Sequence, residues 1–127
     1  MSDSFTEALL SRVLLADGAI GTEFYRRGVF INRCYDELNI SQPELVQAVH
    51  EDYVAAGADI LTTNTYGAQR TRLERFGLAE HMEEIVRSGV QAARRAAGPN
   101  CFVAGSIGPL PLQVRPAGPL SAIEARA

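Results

Sequence analysis

Three short apolar runs end in the same way, each passing directly into small polar residues and glycine. They are Val13–Ala16 before Asp17-Gly18, Ile60-Leu61 before "TTNT", and Phe102–Ala104 before Gly105-Ser106. Short continuous apolar runs are typical of strands that are buried on both faces of a parallel sheet. Their ends lie roughly 40 to 45 residues apart, which leaves room for a helical crossover after each strand. The runs therefore favour an α/β fold.

Helical patterns separate the runs. The first helix is predicted to begin at a capping box formed by Ser41 and Glu44 and to end at Gly57. A second is predicted over about Ala68–Phe76, and a third over "HMEEIVRSGVQAARRAAG" at 81–98. The order strand, helix, strand, helices, strand implies right-handed crossovers and a parallel sheet.

The sheet predicted from these runs has two open edges, because three parallel strands cannot close into a barrel. A (β/α)8 barrel needs about 250 residues, whereas the sequence has 127. Two interpretations stay open: a small three-stranded layer completed by a partner, or the first part of a larger fold, which we favour. The last residues, "SAIEARA" at 121–127, are predicted to open a further helix.

Composition argues against several classes of protein. A net charge of −3, with basic residues in pairs at most, offers no surface for nucleic acid. No apolar stretch approaches the roughly 20 residues that cross a bilayer, and "MSDSFTEALLSR" has acids where a signal peptide needs basic residues. Cys34 and Cys101 lie 67 positions apart without a CxxC pair, so we expect two free thiols and no metal site. We expect a cytoplasmic protein with no nucleic-acid or membrane partner.

Ligands of parallel α/β folds collect at the carboxyl ends of the strands. The residues predicted to meet there are Asp17, Gly18, Thr63, Asn64, Thr65, Ser106 and Gly108. The Asp17 carboxylate can take an ammonium group, and the amides after Gly18 and Ala19, where a helix opens near Thr22, can take a carboxylate. Together they suit a small zwitterion such as an amino acid. On spacing alone, turn formation or helix capping explains Asp17 equally well, and explains the "TTNT" cluster better.

Other chemistries have less support in the sequence. "DGAIGT" matches neither GxGxxG nor a Walker A loop, which ranks a nucleotide-binding module last. Ser106 lies in "GSIG", which is not a nucleophile elbow, and both histidines, His50 and His81, are predicted on solvated helix faces. We therefore name no catalytic residue. A non-enzymatic chain that pairs through its open sheet edge stays as the alternative to an enzyme.

Three motifs taken together resemble one known family. "LLADGAIGTEFYRRG", "YVAAGADILTTNTYGAQRTRLERFGL" and "FVAGSIGPL" have the order and spacing of the homocysteine S-methyltransferase family, over about Leu9 to Leu110. The stretch "GVFINRCYDELNISQPELV" is most similar to a subgroup in which this domain is fused to a methylenetetrahydrofolate reductase domain.

The resemblance implies a TIM barrel of which this chain supplies the N-terminal three βα units, truncated, so that residues 1–127 form a partial homocysteine-binding domain. It implies methyl transfer to the thiol of L-homocysteine, giving methionine, with Zn2+ holding the substrate sulfur. Asp17 matches the family's aspartate that holds the substrate ammonium group. The backbone at Gly18, Ala19, Gly21 and Thr22 matches the segment beside the substrate carboxylate.

Further members of the implied substrate site are Thr63 and Asn64, which line the pocket, and Ser106 after the third run. The zinc cysteines of the family follow later strands and include a Gly-Gly-Cys-Cys motif, which is absent from this sequence. Neither Cys34 nor Cys101 is therefore a predicted ligand, and we expect residues 1–127 alone to be inactive. The implied methyl donor is of the methyltetrahydrofolate, S-methylmethionine or betaine type, and the resemblance allows a fused or separate folate or reductase domain as partner.

Overall fold

Residues 4–126, which the computed structural model describes, form a helix-rich α/β fold around a small parallel sheet. The helices are α1 (Phe5–Ser11), α2 (Gly21–Arg26), α3 (Leu38–Ser41), α4 (Pro43–Ala55), α5 (Arg70–Leu73), α6 (Met82–Ala97) and α7 (Ala122–Arg126). Single 3-10 turns cover Tyr35–Glu37, Glu74–Phe76 and Ala79–His81. The strands are β1 (Ile60–Thr62) and β2 (Phe102–Ala104).

The sheet has the parallel order predicted from the apolar runs. β1 and β2 pair in parallel, with Leu61 opposite Val103. The first run joins the other side of β1 through an isolated parallel bridge between Ala16 and Ile60. The carboxyl ends of all three runs therefore lie at the same edge of the sheet.

The predicted burial of the first run on both faces is wrong. Val13 is 92% exposed and Leu15 is 57% exposed. Within residues 4–126 this run pairs with β1 alone and lies at an edge of the sheet, where Val13 and Leu15 stay uncovered. The central run is buried as predicted, since Leu61 is fully buried against Ala58 and Ala97.

Two of the predicted helix ends are confirmed at glycines with a positive φ. Gly57 follows α4 with φ 100°, and Gly77 follows the turn after α5 with φ 69°; glycine adopts this conformation without the steric cost of a Cβ. The second predicted helix is shorter than expected, because α5 passes into a 3-10 turn after Leu73. The structure confirms the third predicted helix as α6. The helix predicted at 121–127 is found as α7 (Ala122–Arg126), and residue 127 lies outside the described residues.

The predicted capping box of α4 is wrong. Ser41 is the last residue of α3, and its hydroxyl donates to the carboxylate of Glu37 at 3.0 Å. Helix α4 begins at Pro43 with no side-chain cap; proline removes one of the amides that a cap would otherwise serve. A capping box is found instead at the start of α1, between Ser4 and Glu7.

The predicted exposure of His50 is also wrong. His50 is fully buried, because it lies four residues after the buried Val46 and so shares the inward face of α4. That face packs on a cluster with Phe24 and Leu38. His81, in contrast, is exposed as predicted. Within residues 4–126 no helix is long and apolar enough to cross a bilayer.

Candidate functional site at the strand ends

Asp17 lies at the end of the first run, and its side chain is tied to β1. Its backbone N–H donates to the carbonyl of Ile60 at 2.9 Å. Its carboxylate accepts from the backbone N–H of Thr62 at 2.8 Å and from the Thr62 hydroxyl at 3.0 Å. A carboxylate offers about four acceptor positions, so the two protons of Thr62 leave acceptor capacity for a ligand. Asp17 is half-buried and open to the strand-end edge.

The turn after Asp17 is held by Tyr53 of α4. The Tyr53 hydroxyl donates to the carbonyl of Ala19 at 2.8 Å. A Cβ added at Gly18 would lie 2.9 Å from the Tyr53 hydroxyl oxygen, so this close approach requires glycine. The chain then opens α2, whose second residue, Thr22, is exposed. The first amides of a helix have no partner within the helix, which leaves this turn able to donate to an anionic group.

A chain of hydroxyl groups locks the ends of β1 and β2 together. The Thr65 hydroxyl donates to the carbonyl of Ser106 at 2.8 Å, and the backbone N–H of Ser106 donates to the Thr63 hydroxyl at 3.0 Å. The two threonine hydroxyls are 2.7 Å apart. Because the Thr65 hydroxyl already donates its proton to the carbonyl of Ser106, the Thr63 hydroxyl is the donor to the Thr65 hydroxyl oxygen. The Thr63 side chain is thus buried in this network.

Asn64 is held in a second buried network, behind the first. Its side-chain amide donates to the carbonyl of Tyr35 at 2.8 Å and to the side-chain oxygen of Asn39 at 2.9 Å. Asn39 donates in turn to the carbonyls of Asn64 at 2.8 Å and Ile85 at 3.0 Å. Asn64 is 4% exposed. These contacts join the end of β1 to α3 and α6.

The structure therefore divides the predicted site residues into two sets. The exposed or half-buried set, at the turn after the first run and the end of β2, is Asp17, Gly18, Ala19, Thr22 and Ser106. The buried set, whose side chains bond to other parts of the chain, is Thr63 and Asn64. Sequence reasoning missed Thr62 and Tyr53, the two residues that fix the Asp17 turn. The helical spacing of Tyr53 after Val46 and Val49 indicated its inward face but not its contact.

His50 lies on the same face of α4 as Tyr53, one turn earlier. Neither ring nitrogen has a hydrogen-bond partner within residues 4–126. Burial lowers the pKa of His50, and the charge of Asp17 partly opposes that shift. The imidazole is therefore neutral at pH 7 and adds no positive charge beside the Asp17 turn.

The two cysteines lie in different parts of the fold. The Cys101 thiol donates to the carbonyl of Ala58 at 3.1 Å, at the amino end of β2, and Cys34 precedes the 3-10 turn at Tyr35–Glu37. Burial raises the pKa of both thiols. No group of three His, Cys, Asp or Glu side chains within residues 4–126 is placed to hold a metal ion. These residues therefore do not fit the zinc ion that the resemblance implies.

A cavity of about 410 Å³ lies beside the strand-end site, between the loops that follow the first run and β1. Its lining includes Gly21, Asn64 and Asp36. The Asp36 carboxylate accepts from the backbone N–H of Gly67 at 2.9 Å, and burial raises its pKa. No motif in the sequence indicated this cavity, because its walls come from separate loops.

The fold and the site define an α/β protein that places the carboxylate of Asp17 and the start of α2 at the carboxyl ends of parallel strands. Comparison with known proteins then gives the family. The homocysteine S-methyltransferase family model matches residues 14–125. This chain belongs to that family, which is one of methyltransferases, and the resemblance seen in the sequence is confirmed.

Individual relatives agree with the family. Methionine synthase of Mycobacterium tuberculosis is 30% identical over 115 residues, covering 81% of this chain and 10% of the relative. The homocysteine methyltransferase MmuM of Escherichia coli, in its metallated form, is 32% identical with a TM-score of 0.69, covering 80% of this chain and 40% of that one. Its oxidized form gives a TM-score of 0.74 at 31% identity. This chain thus spans about a tenth of the curated relatives and two fifths of the solved structures.

Proposed function

We propose that the strand-end site binds the amino-acid end of L-homocysteine, and that the protein to which this chain belongs transfers a methyl group to the homocysteine thiol, giving methionine. The observation that carries the proposal is the Asp17 carboxylate, fixed by Thr62 at 2.8 Å and 3.0 Å with acceptor capacity to spare. An ammonium group is the natural partner for such a carboxylate, because a charge-assisted hydrogen bond is roughly twice as strong as a neutral one.

Each part of the proposed site has its own role in binding. Asp17 holds the ammonium group, and the backbone amides of the turn at Gly18, Ala19 and Thr22 take the substrate carboxylate. Ser106, Thr63 and Asn64 form the wall at the ends of β1 and β2. The last two act through their networks, which set the shape of the wall and leave few free polar atoms for the ligand.

We also propose that residues 4–126 are the first three βα units of a (β/α)8 barrel, and hence part of a homocysteine-binding domain. The parallel order of the three runs supports this, as does a match to two fifths of the MmuM chain. In residues 4–126, β2 pairs with β1 alone, so its other edge is available for a further parallel strand. The free thiols Cys34 and Cys101 agree with a reducing, cytoplasmic location.

Calorimetry with the intact protein tests the binding step. We expect L-homocysteine to bind at pH 7.5 and Asp17→Asn to weaken binding by about 10-fold or more, since a hydrogen bond to a charged group contributes about 1.5–3 kcal/mol. Thr62→Val is the matched control, because it removes one contact to Asp17 and keeps the carboxylate. Equal affinity of the wild type and Asp17→Asn would overturn the assignment of the ammonium group.

A transfer assay tests the reaction. The intact protein, supplied with zinc and L-homocysteine, is offered methyltetrahydrofolate, S-methylmethionine and betaine in turn, and methionine is measured. We expect turnover with one donor class and none from residues 1–127 alone, since residues 4–126 do not group three metal-ligating side chains. Turnover by purified, zinc-loaded 1–127 would contradict the second expectation.

A further inference from the structure

His50 is a fully buried titratable side chain that the proposed binding mode does not use. It is fully buried on α4, and neither ring nitrogen has a partner within residues 4–126. An unsatisfied buried polar group costs about 1–3 kcal/mol. A leucine at this position would carry no polar atom and would avoid that cost. The imidazole therefore calls for an explanation beyond packing.

His50 lies on the face of α4 that contacts the Asp17 turn. His50 and Tyr53 are three residues apart and so share one face of the helix. Tyr53 reaches the turn directly, with its hydroxyl 2.8 Å from the carbonyl oxygen of Ala19. The carboxylate of Asp17 is the charge within residues 4–126 that acts on the His50 ring.

The other charged groups on the elements packed against α4 are not among the charges that shift the pKa of His50. Those of α2 are Glu23 and Arg26, which act on Tyr53, and Arg27, which follows α2, pairs with Asp52 at the solvent. From α6, Arg95 donates to Gln47. α3 and β1 carry no charged residue. His50 is thus buried on the face of α4 that holds the turn after Asp17, and the charge of Asp17 acts on its ring.

We propose that His50, through its proton, competes with the ammonium group of the bound amino acid for the negative charge of Asp17. This inference rests on the proposed function and adds a positioning residue to it. When His50 is neutral, the Asp17 carboxylate is free to hold the ligand. When His50 is protonated, its positive charge partly neutralises the negative charge of Asp17, and the ammonium group is held less tightly.

Linkage makes the competition reciprocal. If a proton on His50 weakens ligand binding by some factor, ligand binding weakens proton binding to His50 by the same factor. Burial lowers the pKa of His50 below its ordinary value, so the effect is confined to pH values below about 6.5. The site is then fully open to the ligand at neutral pH and weakens on acidification.

The coupling is tested first without ligand. The C2 proton signals of the histidines are titrated by NMR in the intact protein, with the His50 signal assigned by its loss in His50→Gln, or in His50→Asn if that variant does not fold. We expect Asp17→Asn to lower the pKa of His50 by about half a unit or more, because it removes the favourable charge. The His81 signal, assigned through His81→Gln, is the internal control and does not move.

The binding of L-homocysteine is then measured by calorimetry at pH 7.5 and at one unit below the measured pKa of His50, with circular dichroism to verify the fold. We expect the wild type and His81→Gln to bind about threefold or more weakly at the lower pH, and His50→Gln to change less than twofold.

The outcomes separate this inference from the function on which it rests. A His50 titration that is unchanged by Asp17→Asn overturns the inference alone, as does an equal pH dependence in the wild type and His50→Gln. No binding of L-homocysteine to the wild type at pH 7.5 overturns the proposed function and the inference with it.

Discussion

The carboxylate of Asp17 and the residue Thr62 are joined twice, by the Thr62 backbone N–H at 2.8 Å and by its hydroxyl at 3.0 Å. The backbone N–H of Asp17 donates to the carbonyl of Ile60, so the two bonds to Thr62 extend the hydrogen bonding between the first run and β1. The same carboxylate is half-buried at the edge where ligands of parallel sheets bind. Its structural role and its proposed binding role can be separated by substitution.

We expect Asp17→Asn to weaken L-homocysteine binding by about 10-fold or more and to lower the free energy of unfolding by only about 1 kcal/mol. The amide oxygen of asparagine can still accept from Thr62, but the charge is lost. We expect Thr62→Val to lower the free energy of unfolding by a similar amount, but to weaken L-homocysteine binding less than about threefold, because the carboxylate is kept. Urea unfolding and calorimetry on both variants provide the comparison, and a large affinity loss in Thr62→Val would contradict it.

We expect Gly18→Ala to lower the free energy of unfolding by about 1–3 kcal/mol. Its Cβ would lie 2.9 Å from the Tyr53 hydroxyl oxygen and 3.2 Å from a ring carbon, so Tyr53 must leave the carbonyl of Ala19. Gly105→Ala is the control, since nothing lies within 4 Å of a Cβ there. Thermal unfolding of the two variants decides the matter; equal melting temperatures would show that the Tyr53 contact does not restrain the turn.

The apolar runs were sufficient to predict the parallel order of the sheet and the edge at which Asp17 lies. They were insufficient for burial, because burial depends on what covers a strand and not on its composition. Val13 is an apolar residue in an apolar run, as a core residue would be, but it is 92% exposed within residues 4–126. Helix stops were predictable where a glycine takes a positive φ, as at Gly57.

The side-chain partners of the site were beyond sequence reasoning. Asn64 looked like a ligand contact or a cap, yet its amide bonds to Asn39, 25 positions earlier. A pairing of this kind depends on how α3 meets the end of β1, which no local pattern encodes. His50 was misassigned for a related reason: the residues that follow it, Glu51 and Asp52, are charged, but its neighbours on the helix face, Val46 and Tyr53, are not.

We expect Gly89→Ala to destabilise the protein, although alanine is normally preferred to glycine inside a helix by about 1 kcal/mol. Gly89 lies within α6, and a Cβ there would be 2.6 Å from the Asn39 amide nitrogen and 2.9 Å from a Thr65 methyl carbon. The clash would open the network that holds Asn64. We expect a net loss of about 1–3 kcal/mol in the free energy of unfolding.

Ser88→Ala, at the neighbouring position of α6, is the matched control for that prediction. It changes helix preference in the same direction but by less than Gly→Ala does, without entering the network. We expect it to change the free energy of unfolding by no more than about 0.5 kcal/mol. Urea unfolding at pH 7.5 measures both variants. A Gly89→Ala protein as stable as the wild type would mean that α6 can shift away from Asn39 at little cost.

We expect the stability of the protein to fall on acidification partly because of His50. Burial lowers the pKa of His50 in the folded state, so the unfolded chain binds the proton more readily. The contribution of neutral His50 to the free energy of unfolding is fully present above about pH 6.5, the ordinary histidine pKa. It is lost as the pH falls from there toward the pKa of His50 in the folded state. The slope is at most about 1.4 kcal/mol per pH unit for one proton. Urea unfolding at pH 7.5, 6.5 and 5.5 should show a smaller decline in the free energy of unfolding for His50→Gln than for the wild type or His81→Gln. Equal declines in all three would mean that His50 is protonated as easily in the folded state as in the unfolded one.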